Sequence, residues 1–173
     1  MSMEKHDPLY AAYIRILEAE LIPATGCTEP IAIAYAAAKA REVLDCAPVR
    51  AELVVSNNII KNVKSVVVPN TDGLKGLEAA VAAGAAAGDA SQVLQVISRV
   101  DDAGRRAIRQ FLQEVPICVR PAQSDEIFDI LVELQGEADR VRVRITSCHT
   151  NIVLIEKNGQ ALFQGSPQVD ESH

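Results

Sequence analysis

Two runs of small apolar residues constrain this chain more than anything else in it. Ile31 to Ala40 and Gly76 to Gly88 are built almost wholly from Ala, with Gly at 76, 84 and 88. A helix made of such residues has no polar face to give to water, so it must be buried. Gly at these positions lets a second backbone come close. The rest of the composition agrees. Hydrophobic residues make up 49% of the 173 positions, only 3% are aromatic, and there is no Trp. The core must therefore be assembled from Ala, Val, Ile and Leu packed tightly.

Periodicity places the other elements. Leu9, Tyr13, Ile16 and Leu17 recur at helical spacing, with Asp7 as cap and Pro8 in the first turn. Pro23 closes that helix, and residues 23–29 form a loop. Pro30 opens the next helix, which runs to about Leu44. Residues 49–56 read as a strand, residues 57–62 as a polar interruption, and residues 65–68 as a β-branched second strand. Residues 69–73 are a turn, and Leu74 to Gly88 is the second Ala-rich helix. Residues 92–100 and 103–114 have helical spacing, and residues 115–120 form a short strand. Residues 127–135, 140–147 and 152–156 alternate as an antiparallel meander with turns at Gly136 and near His149. Asn158-Gly159 supplies a further hairpin turn.

The expected class is α+β, with Ala-rich helices packed on a mixed, largely antiparallel sheet. Residues 1–165 are expected to form a single domain, followed by a frayed polar tail over 166–173. There is no internal repeat and no low-complexity linker.

The net charge of −6 argues against a nucleic-acid partner and against an anionic membrane surface. The N-terminus lacks the apolar stretch of a signal peptide, and the Ala-rich runs are too short to span a bilayer. A cytoplasmic location is the expectation. Cys27, Cys46, Cys118 and Cys148 are then reduced thiols or metal ligands. No CxxC pair exists, which disfavours a self-contained zinc site.

Three segments can carry chemistry. In Gly26-Cys27-Thr28-Glu29-Pro30, a Cys stands just before a helix start, where the helix dipole favours a thiolate. Thr28 can cap the helix there. The segment also reads as a plain helix start that happens to hold a buried Cys. Asn57, Asn58, Lys61 and Asn62 form a polar cluster that can bind a carboxylate, or can simply be a turn. In Ser147-Cys148-His149-Thr150-Asn151, His149 is a candidate general base, against the alternative of an exposed hairpin turn.

Taken together, Leu21 to Ile31, Ser56 to Asn62, Val67-Val68-Pro69-Asn70-Thr71 with its Ala-rich helix, and His149 to Val153 resemble the N-terminal part of the L-cysteine desulfidase and L-serine dehydratase alpha-chain family. The resemblance implies a lyase with a 4Fe-4S cluster held by three Cys, its open iron acting as Lewis acid on an amino-acid substrate. A base removes the α-proton, sulfide or water leaves, and pyruvate and ammonia result. On this reading Cys27 is a cluster ligand and His149 and Lys61 are catalytic. Thr28, Glu29, Asn57, Asn58, Asn62, Thr150 and Asn151 would then contact the substrate.

The family's members run to more than twice this length, with further cluster cysteines in their C-terminal half. Cys46, Cys118 and Cys148 do not match those positions, and Cys148 stands where Gly is common. The expected partners are therefore a small amino-acid substrate, a C-terminal lyase half or second subunit, and further copies of the chain. Two alternatives stand beside the lyase: a non-catalytic homo-oligomeric module, and a thiol enzyme using Cys27 with His149.

Overall fold

A computed structural model of the chain describes residues 28–123 and 126–165. The expected helix over residues 8–21, the Gly26-Cys27 loop and the tail over 166–173 lie outside the described residues. Six strands form one sheet: β1 (Arg50–Val55), β2 (Ile117–Pro121), β3 (Asp129–Gln135), β4 (Arg140–Thr146), β5 (Ile152–Lys157) and β6 (Gln160–Gln164). Their order across the sheet is β2-β1-β3-β4-β5-β6. β1 and β2 run parallel, and every other pair is antiparallel. The α+β class with a mixed, largely antiparallel sheet is therefore the observed one.

Alternation sets the two faces of the sheet. Val141, Val143 and Ile145 are buried on one face, while Arg142 and Arg144 rise from the other. The cross-strand register extends both rows: Val143 stands beside Val132, which faces Leu53, and Arg144 beside Leu131, which faces Val54.

The helices cover only the first of these faces. They are α1 (Thr28–Leu44), α2 (Asn57–Val63), α3 (Leu77–Ala87) and α4 (Asp102–Glu114), with a 3-10 helix over Ala90–Gln95. α1 lies on β3 and β4, α3 packs on α1, and α4 packs on α3. α1 thus sits between the sheet and a second helix. That placement is why its sequence is mostly small and apolar: Ile31, Ile33, Ala34, Ala36, Ala37 and Ala40 are all buried. The crossing with α3 is close. A Cβ built on Gly84 would fall 2.7 Å from the carbonyl carbon of Ala34 and 2.8 Å from its Cα. Only Gly fits there.

α4 is the amphipathic member. Ile108 and Phe111 face inward, and Asp101 caps the helix through a 2.8 Å bond from the Gly104 amide. Its Arg105 and Arg109 both pair with Asp72, which pins the 69–73 turn against the helix. The turn is held further by Arg105 Nε, which also donates to the Asn70 carbonyl.

Three expectations need correction. The polar interruption over residues 57–62 is the helix α2. Ile59 and Val63, four residues apart, bury one face, and the Asn residues with Lys61 occupy the other. Residues 65–68 do not form a strand. Val67 makes a single bridge to Lys75, and Val68 and Gly76 bond back within the same loop, to Leu74 and Val66 respectively. Residues 92–100 are not one α-helix, because the backbone breaks at Val93 (φ 53°, ψ −113°) inside the 3-10 helix.

Candidate functional site

β1 and β4 point the same way, so they end at the same edge of the sheet, where β3 begins. The Ser56 amide donates to the Asp129 carbonyl at 3.0 Å, and the Ser56 hydroxyl donates to the Ile127 carbonyl at 2.8 Å. The Ser147 amide donates to the Phe128 carbonyl at 3.2 Å. These bonds bring the start of α2, residues 127–129 and the β4–β5 turn to one place. Ser56 precedes α2 but does not cap it, because its hydroxyl holds residue 127 instead.

The β4–β5 turn carries His149. Ser147 adopts a left-handed backbone (φ 73°), which turns the chain sharply out of β4. The Asn151 side-chain amide then donates to the Thr146 carbonyl at 3.1 Å, and the Asn151 backbone amide to the Cys148 carbonyl at 3.2 Å. Asn151 therefore holds the turn, Cys148 is half-buried within it, and Thr150 is exposed at its tip.

His149 itself is turned inward. Its ring lies 4.7 Å from that of Phe128, tilted by 57°. Nε2 is buried and has no hydrogen-bond partner among the described residues. Burial pushes the imidazole below its ordinary value, and Glu29, in the first turn of α1, pulls more weakly in the other direction. The ring is therefore neutral at pH 7, as a proton acceptor must be. Thr28 and Glu29 are both half-exposed at the N-terminal end of α1.

The sheet edge thus joins segments far apart in the chain. Glu29 and His149 feel one another electrostatically across the fold. Asn57, Asn58, Lys61 and Asn62 lie on one exposed face of α2, which starts at the same edge. Lys61 sits a full turn further along α2, facing solvent. Cys27 lies outside the described residues. Phe128, which packs on His149, was missed in the sequence, although it is one of only three Phe residues.

The donor set for an iron–sulfur cluster is a separate matter. Among the described residues no three His, Cys, Asp or Glu side chains gather as a metal site. Cys46 stands behind Gly136, Cys118 is exposed on the edge strand β2, and Cys148 is in the turn. These thiols, so scattered, do not fit the group. No helix among the described residues is long and apolar enough to cross a membrane.

Comparison with known proteins gives a consistent set of relatives. The chain is 55% identical over 163 residues to a UPF0597 protein of Desulfitobacterium hafniense, covering 94% of this chain and 38% of that one. It is 48% identical to a UPF0597 protein of Finegoldia magna, covering 87% of this chain and 36% of the relative. With a UPF0597 protein of Vibrio parahaemolyticus it shares 40% identity over 160 residues, covering 92% of this chain and 37% of the relative. The chain thus spans well under half the length of these curated relatives. No family model and no solved structure matches.

These names overturn the resemblance drawn from the motifs. The similarity runs to UPF0597 proteins, not to proteins named L-cysteine desulfidase or L-serine dehydratase alpha chain. The iron–sulfur lyase reading falls with it: these relatives carry no such name, and no ligand set gathers among the described residues.

Proposed function

We propose that the sheet edge around His149 binds a small amino acid or related carboxylate and that His149 accepts or returns a proton on it. The observation that carries this reading is the buried Nε2 of His149, without a partner and on a ring held neutral. A buried polar atom left unpaired is costly, and such costs persist where a ligand or reacting group repays them. Glu29 suits an ammonium group, and Lys61 with Asn57, Asn58 and Asn62 suits a carboxylate. The relatives are more than twice as long as this chain, and the reading concerns only the residues present here. We place the protein in the cytoplasm, because Cys46, Cys118 and Cys148 are free thiols and Cys118 is exposed.

The test is an amide-resolved NMR titration of the chain with L-serine. Saturable shifts are expected at residues 28–29 and 147–151, with the His149 ring signals moving and the response lost in His149→Ala. Shifts that never saturate, or that persist unchanged in the variant, would remove the proposal.

A further inference from the structure

The face of the sheet turned away from the helices carries a second feature, independent of His149. A groove of about 510 Å³ opens there over the end of β4, bounded by Glu126, Arg144, Thr146, Leu154 and Gln164. That volume lies within the range of small-molecule sites, which are commonly about 300–1,000 Å³. A neighbouring groove of about 300 Å³ shares Arg144 and Leu154 with it and continues toward Val54 and Leu131.

The charges in the first groove are unequal. Arg144 is committed: its Nε and Nη2 donate to the two carboxylate oxygens of buried Asp129, at 3.0 and 2.8 Å. That pairing holds the guanidinium firmly charged and fixes it in one plane. The exposed carboxylate of Glu126 also acts on Arg144, but the Asp129 pair has already matched that cation. One negative charge is left over at the groove. The Thr146 residue is only 3% exposed and lines the groove, and its Oγ1 is buried without a hydrogen-bond partner. Among the described residues the only other such side-chain atom is His149 Nε2. That hydroxyl keeps its capacity for a further hydrogen bond. Leu154 and Val153 supply an apolar wall beside it.

We propose that this groove is a binding site for a small ammonium-bearing ligand with a short apolar body. The ammonium is held by Glu126, the body lies on Leu154 and Val153, and a polar group of the ligand satisfies Thr146. An anionic ligand of the same size is disfavoured, because Arg144, the one cation lining the groove among the described residues, is already paired with Asp129. The site does not rest on the His149 reading.

The probe is n-butylammonium chloride, titrated into the chain and followed by amide-resolved NMR, with sodium butyrate as the charge-reversed control. Saturable shifts are expected at residues 126, 144, 146, 154 and 164 for the ammonium alone. Glu126→Gln, at an exposed position, should weaken the binding about tenfold, roughly what one charged contact contributes. Thr146→Val should weaken it too. No saturable response, equal binding of butyrate, or an unaltered affinity in Glu126→Gln would each overturn the proposal.

Discussion

At His149 one half-buried ring couples proton binding to folding. Burial holds its affinity for a proton below the ordinary value, outweighing Glu29. The unfolded chain takes up that proton as pH falls through about 6.5, whereas the folded chain does so only at lower pH. In that window the unfolded state binds more protons, so stability drops as pH drops; above it the contribution is fully present. Urea midpoints of the wild type should therefore fall between about pH 7.5 and pH 5.5 by more than those of His149→Gln. Equal falls in the two proteins would show that the ring is not held neutral. His149 was marked in the sequence because imidazole titrates in the useful range. Its environment was not legible: Glu29 and Phe128 are distant in sequence, and only the fold brings them to the ring. Ser56 stood in the right segment, but its bond to Ile127 required the register of β1 on β3.

Among the elements, α1 and α3 were read from composition with good boundaries, because an all-small apolar run has little choice but burial. α2 was missed for the opposite reason. Four polar residues drew attention to a turn, while the decisive signal was the spacing of Ile59 and Val63. The run over 65–68 misled in turn, since β-branched residues favour strands only where a partner strand exists. Gly84 gives the sharpest test at this scale. Ala is the better helix former by about 0.8–1 kcal/mol. Its Cβ would nonetheless collide with the backbone of Ala34, where rigid main chain cannot yield as a side-chain tip would. Gly84→Ala should therefore lose on the order of 1–2 kcal/mol net, since overpacking costs about 1–3 kcal/mol. Chemical denaturation measures this directly, and a variant as stable as the wild type would mean that α1 and α3 lie further apart.

For the molecule as a whole, the strand order was beyond the sequence. Alternation announces strands, but nothing in it says that β2 returns parallel to β1 at the far edge. The two edges differ in a way that matters for association. β2 ends in Arg120 and Pro121, both of which discourage further pairing. β6 has no charged residue and is exposed throughout, with Leu162 at 55% and Phe163 at 47%; a register shift within its pairing to β5 bends the edge. Self-association through β6 is the expected result, seen as an apparent mass that rises with concentration in sedimentation velocity. Phe163→Lys should flatten that rise, and a wild type that stays flat would contradict the expectation.

The position of α1 between the sheet and α3 also bears on synthesis. The strands that cover it, β3 and β4, begin some 85 residues after Leu44. At about 5–20 residues per second, roughly 4–17 s separate the two on the ribosome. For that interval a helix whose apolar residues are buried in the finished fold is made but only partly covered. The apolar face of α1 thus stays open until β3 and β4 emerge, and slowed translation of residues 45–128 would lengthen its exposure.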